Sequence, residues 1–139
     1  LVWAGKNGGD LKRVGVTGFC WGGRITWLSA TLPQVKAGVA WYGRLVGTAT
    51  PQTPQHPVAL AAHIKAPVLG LYGGKDDGIP LSSVETMRTE LAKGSSGSEI
   101  VVYPDAGHAF YADYRPSYVE SAAHDGWRRC TDWFRKHGV

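Results

Sequence analysis

The chain has 139 residues, with 43% hydrophobic and 19% charged side chains and a formal net charge of +4. That length supports a buried core, and the composition is that of an ordinary globular protein rather than a disordered or fibrous one. No apolar run approaches eighteen residues, which excludes a transmembrane helix, and no DNA- or RNA-binding motif accompanies the mild basic excess.

The opening "LVWAGKNGGDLKR" has no initiator Met and no apolar signal core with a small-residue cleavage site. "RVGVTGF", residues 13–19, is small, β-branched and apolar, and reads as a buried strand. "GGRITWLSATL", residues 22–32, reads as a helix closed by Pro33, with Ile25, Leu28 and Leu32 on its apolar stripe. "AGVAWYG", residues 37–43, is a second strand. Residues 44–62 are rich in Pro, Thr and Gln and read as a loop, with a helical turn near "ALAAH". "APVLGLYG", residues 66–73, is a third strand. "SSVETMRTELAKG", residues 82–94, is an amphipathic helix capped by Ser82 or Ser83 and ended by Gly94. "SEIVVYP", residues 98–104, is a fourth strand. A helix over residues 117–138 follows, with Gly126 as a candidate kink. On it Cys130 shares a core stripe with Trp127 and Phe134, while Arg128, Arg129, Arg135 and Lys136 form a solvated face that matches the helix dipole. Apolar strands alternating with helices predict an α/β fold, a parallel sheet covered on both faces. Four strands are few for that architecture, so N-terminal strands are expected to precede them in a longer protein.

In such sheets, functional groups gather beyond the carboxyl ends of the strands. Three chemistry-bearing residues stand there. Cys20 follows the first strand, in "GFCWG", the G-x-S-x-G spacing of a nucleophile elbow with Cys in place of Ser. Gly18 and Gly22 are expected to be glycine because a side chain would meet backbone in that turn. The next helix aims its positive end at Cys20, which favours a thiolate, and the Trp21 N–H is a candidate oxyanion donor. Asp76, in "GGKDDGIP", follows the third strand, and its neighbour Asp77 is read as solvated or capping. His108, in "PDAGHAF", follows the fourth. The remaining histidines, at 56, 63, 124 and 137, fit no motif or zinc spacing. Singly, each of the three has a plain structural reading: a packed thiol, a turn aspartate, a satisfied histidine. Together they run in the order nucleophile, acid, base, which is that of α/β-hydrolases.

"GVTGFCWGGR", "AWYG", "APVLGLYGGKDDGIP" and "YPDAGHAFYADYRPSY" resemble segments of the dienelactone hydrolase (carboxymethylenebutenolidase) family, and the resemblance spans essentially the whole chain. It implies a Cys20–His108–Asp76 triad acting on a small ester or lactone, with no metal and no organic cofactor. Full-length members are longer at the N-terminus. There they supply a second oxyanion donor, a glutamate beside the resting cysteine and an arginine for the substrate carboxylate, none of which can be located here. Well-known members also carry an arginine four residues after the histidine, where this chain has Ala112.

Trp21, Tyr42, Phe110 and Tyr111 are candidate walls of an apolar substrate pocket. Arg115 is expected either to anchor substrate or, in preference, to pair with Asp113. Two cysteines 110 residues apart make no disulfide framework, and a reducing, cytoplasmic setting is expected. Two other readings stay open. In one, the chain is a catalytically incomplete half that works as an assembly module, covering apolar surface by self-association or with a complementing N-terminal segment. In the other, ranked last for want of a C-x-x-C, Cys20 is a redox sensor.

Overall fold

The computed structural model describes residues 1–139. A short helix α1 (Val2–Lys6) is followed by β1 (Gly15–Phe19), α2 (Trp21–Ser29), β2 (Ala37–Trp41) and α3 (Pro57–Leu60), the last running into a 3-10 turn at Ala61–His63. Then come β3 (Val68–Gly73), α4 (Leu81–Leu91), β4 (Glu99–Tyr103) and α5 (Glu120–Lys136). The four strands form one parallel sheet in the order β1-β2-β3-β4. The registers set Gly15 against Ala37, Gly38 against Val68, and Leu69 against Glu99. No helix is long and apolar enough to cross a membrane.

This is the parallel α/β architecture that the alternating pattern predicts. Strands laid side by side in chain order, each joined by a right-handed crossover, place their connecting helices on one face. Accordingly α2, α3 and α4 touch in succession, while α5, which follows the last strand, packs on β2 and β3. The central strands β2 and β3 are buried along their whole length, and β1 and β4 are the edges. Trp27, Trp41 and Tyr72 are the largest fully buried side chains. Their polar atoms are satisfied inside the core: Trp27 Nε1 donates to Tyr72 Oη (2.8 Å), and Tyr72 Oη donates to the Gly43 carbonyl (3.0 Å).

Several expectations shift. The α2 stripe is rotated: Gly23, Arg24, Thr26 and Trp27 are its buried residues, whereas Leu32 lies past the helix and is half exposed. Large Trp27, not the smaller aliphatics, claims the sheet-facing side. Helix α4 starts after Pro80 and has no side-chain cap; the Ser83 hydroxyl instead donates back to the Pro80 carbonyl. Gly94 lies beyond its end, where a Cβ would stand 2.7 Å from the Ala62 carbonyl oxygen. Helix α5 starts at Glu120, three residues later than predicted, and continues through Gly126 to Lys136. Gly126 is there for space, because a Cβ would lie 2.7 Å from the Trp41 ring. Cys130 is buried as expected, and burial pushes its thiol up to about 11. Trp127 is not in that stripe but half exposed, stacked obliquely on Tyr111. Both cysteines are free.

The basic face of α5 is locally neutralised. The Asp125 carboxylate accepts from Tyr103 Oη (2.9 Å), from Arg129 Nε (2.6 Å) and from Arg128. Burial raises its pKa, but the bonds from Arg129, Arg128 and Tyr103 outweigh this and hold it down at about 2. The folded value lies below the ordinary aspartate value of about 3.9, so this contribution to stability is complete above about pH 4 and is lost as pH falls toward 2. A plot of unfolding free energy against pH should therefore decline across that window, and Asp125→Asn should flatten part of the decline. Separately, Gly126→Ala should destabilise by about 1–3 kcal/mol in urea unfolding, since the Trp41 ring has nowhere to retreat.

Candidate active site

The cysteine turn is shaped by backbone contact. β1 ends at Phe19, and α2 begins one residue after Cys20. Cys20 has φ 56° and ψ −116°, a conformation that costs a side chain of its type on the order of 1–3 kcal/mol. Its N–H donates to the Trp41 carbonyl (2.9 Å), and its own carbonyl accepts from Arg24 N (3.2 Å). Three glycines permit this closeness. A Cβ on Gly18 would lie 2.5 Å from the Gly22 carbonyl carbon, one on Gly23 2.4 Å from the Trp41 oxygen, and one on Gly43 2.3 Å from the Gly23 carbonyl carbon. The expected clash at Gly22 is absent, because its Cβ position opens onto free space. Gly23, which the spacing did not single out, carries that restriction instead.

Asp76 and His108 come from turns bonded to each other beyond β3 and β4. Gly74 N donates to the Tyr103 carbonyl (2.8 Å), and Lys75 N to the Ala106 carbonyl (2.9 Å). The Asp76 carboxylate is almost wholly buried, at 1% exposure. Its Oδ1 accepts from Gly78 N (2.9 Å), while Oδ2 lies 2.7 Å from His108 Nδ1. His108 Nε2 lies 3.2 Å from Cys20 Sγ. Three side chains distant in sequence thus form one continuous chain of contacts, carboxylate to imidazole to thiol. A carboxylate on Nδ1 fixes that nitrogen as the donor and leaves Nε2 to accept from the thiol. Asp77 is exposed, and the carboxylate bonded to His108 is that of Asp76.

The thiol opens into a cleft of about 800 Å³. Trp21 and Tyr42 line it. Tyr42 presents its ring edge-on to His108 (centroids 5.2 Å), at a strained φ of 36°. Burial and then the neighbouring Cys20 hold its phenol above the usual tyrosine range. Trp21 is 67% exposed, and as the first residue of α2 its N–H has no partner within the helix. Phe110 and Tyr111 do not wall this cleft. Ala109, at φ 60°, turns the chain after His108, and Phe110 lies fully buried among Trp41, Tyr42 and Tyr103. Tyr111 lines a separate cavity with Tyr118 and Trp127. Arg115 neither lines the cleft nor pairs with Asp113; its guanidinium lies over the Tyr114 ring at 5.7 Å. Beside Trp21 and Tyr42 the cleft also carries charged and polar side chains, which the expectation of an apolar pocket did not include. Arg24 and Arg44 line it, as does the 47–56 stretch with Thr48, Thr53 and His56. The composition of residues 44–62 marked a loop but gave no sign of where it folds.

A parallel sheet carrying a strained cysteine turn at one strand's carboxyl end, with an acid and a histidine at two others, defines the α/β-hydrolase architecture. Within that class the chain belongs to the dienelactone hydrolase family, whose profile matches residues 2–138. A protein of Salmonella typhimurium that carries the provisional name carboxymethylenebutenolidase is 61% identical over 137 residues, which is 98% of this chain and 51% of that protein. An Escherichia coli protein of the same provisional name is 58% identical over 98% of this chain. A crystal structure from Klebsiella pneumoniae, described provisionally as a dienelactone hydrolase, superposes with a TM-score of 0.94 at 58% identity, covering 96% of this chain and 56% of that one. The chain spans about half the length of the curated relatives it matches.

The glycine contacts predict an asymmetry. Gly18→Ala should destabilise by about 2–4 kcal/mol, because only backbone could yield. Gly22→Ala should leave the thermal midpoint within a few degrees of the parent in calorimetry.

Proposed function

We propose that this chain carries the catalytic groups of a carboxylic ester or lactone hydrolase that works through a thioester on Cys20. The observation that carries this reading is the run from Asp76 through His108 to Cys20, at 2.7 and 3.2 Å. His108 Nε2 takes the thiol proton as Sγ attacks the substrate carbonyl carbon. Asp76, bonded to Nδ1, holds the imidazole in the required tautomer and stabilises the imidazolium. The Trp21 N–H, at the positive end of α2, faces the negative charge that develops on the carbonyl oxygen. Collapse expels the alkoxide, which leaves with the proton from His108. Water, deprotonated by His108, then attacks the thioester, releasing the acid and restoring the thiol.

A second reading rests on the shared length. Since the relatives are about twice as long, a complementing segment would complete the oxyanion hole, and the 139 residues alone would act as an assembly module. Size-exclusion chromatography separates the two readings: a monodisperse, active species argues for the first.

Hydrolysis of 4-nitrophenyl acetate should be lost in Cys20→Ala and should fall on the order of a thousandfold or more in Asp76→Asn, where the tautomer is no longer fixed. A brief reaction quenched in acid should show an acetyl adduct on Cys20 by intact mass. Full activity in Cys20→Ala would remove the proposal.

A further inference from the structure

Tyr42 takes no part in the steps above, yet it occupies a position that tyrosine ordinarily avoids. It stands one residue beyond β2, at φ 36°, where glycine is at ease and a bulky side chain is strained. The corner leaves the backbone no alternative. The Tyr42 N–H donates to the Leu71 carbonyl (2.8 Å), and the next residue, Gly43, is pinned between the start of α2 and the Tyr72 hydroxyl. A glycine at 42 would meet these constraints without strain. What tyrosine adds is a ring. The residue is only 3% exposed, although it lines the cleft of Cys20. Strain of this kind persists at functional sites, where the surroundings over-determine it.

The ring is wedged against the turn that carries the base. It meets the His108 imidazole edge-on (centroids 5.2 Å, 64°) and the Phe110 ring in the same manner (5.2 Å, 72°), so it touches the residues on both sides of the strained Ala109. Phe19 closes on it from β1 at 6.1 Å. His108 needs such a support. Its side chain is 38% exposed, and two polar contacts hold it: Nδ1 to Asp76 Oδ2 (2.7 Å) and Nε2 to Cys20 Sγ (3.2 Å). The second contact ends once Sγ is acylated, because the sulfur then has no proton to share. From that moment one hydrogen bond holds the imidazole, and a ring held at one atom can still tilt about it. Yet the same Nε2 must then meet a water beside the thioester. An aromatic edge against the imidazole restricts the tilt without occupying either ring nitrogen.

We infer that Tyr42 is a positioning residue whose ring holds the His108 imidazole in place after Cys20 has been acylated, so that Nε2 stays aimed at the attacking water. The inference rests on the thioester route proposed above, and its test separates the two. With 4-nitrophenyl acetate, acylation is read as nitrophenolate released in the first turnover. Deacylation is read as loss of the acetyl mass from Cys20 once excess reagent is removed. Tyr42→Leu should slow deacylation about tenfold to a hundredfold while changing acylation less than about threefold. The acetyl adduct should therefore accumulate during steady turnover. Tyr42→Phe, which keeps the ring, should restore deacylation to the parent rate. A ring that only filled the core would give another pattern, since a loosened site slows both half-reactions together. A folded Tyr42→Leu in which both slow alike, or neither slows, overturns the inference. So does a Tyr42→Phe no faster than Tyr42→Leu, which would place the effect on the hydroxyl. Should Tyr42→Leu not fold, Tyr42→Met, whose flexible side chain fills the same space, is read in the same way. A parent chain that forms no adduct on Cys20 removes the thioester route and this inference with it; normal adduct formation with unchanged deacylation in Tyr42→Leu removes this inference alone.

Discussion

The close approach of three backbone segments around Cys20 is the constraint on which the site depends. The start of α2 lies against the end of β1 at Gly18 and Gly22, and against the corner after β2 at Gly23 and Gly43. No side chain fits between them. Because they touch, the Cys20 N–H reaches the Trp41 carbonyl, and the residue is forced to positive φ. That conformation lifts the thiol off the sheet, toward the turn that carries His108. The buried bonds from Trp27 through Tyr72 to the Gly43 carbonyl brace the same corner from below. Packing of the core and presentation of the thiol are therefore one arrangement, since the side chains that fill the interior also fix the strained turn above it.

Strain elsewhere in the chain follows the same geography. The three non-glycine residues at positive φ are Cys20, Tyr42 and Ala109. The first holds the thiol, the second sets an aromatic edge against the imidazole, and the third turns the chain directly after His108. Such conformations persist where surrounding structure over-determines them, and here the buried neighbours Trp41 and Phe110 do so. A rigid, buried Asp76 completes the frame, with both carboxylate oxygens engaged. The exposed side chains of the cleft, Trp21 and Arg44 among them, stand outside this frame.

Much of this is legible in sequence because it depends on local chemistry. The glycine at 18, a cysteine between strand and helix, and an acid and a histidine after later strands are short-range signals, and the α/β alternation orders them; the close contact at Gly23 belongs to the tertiary fold. What sequence hid depends on tertiary packing. The buried stripe of α2 follows Trp27 rather than the aliphatic repeat, because the widest ring takes the deepest site. Phe110 and Tyr111 are neighbours in sequence but enter different surroundings, because Ala109 redirects the chain. Gly126 looked like a flaw in a helix and is a seat for Trp41. Arg24 stands beside the cysteine motif in sequence, but its burial against the cleft is visible only once the 47–56 stretch has been placed.

The order of the strands has a further consequence, for how the chain acquires its shape. Each strand pairs with the one just before it, and partners are 22, 30 and 30 residues apart at the starts of the three ladders. No strand must wait for a distant segment to be inserted beside it. Loop closure is brief at every step, which favours rapid pairing. On a ribosome, such a sheet can grow one strand at a time in the direction of synthesis, with the cysteine turn built before the acid and the acid before the histidine. Helix α5 follows the four strands and covers the face that the crossover helices leave bare. The nascent chain thus keeps its central strands β2 and β3 open on that side until α5 has been made, and that interval is when this sheet most needs protection from its neighbours.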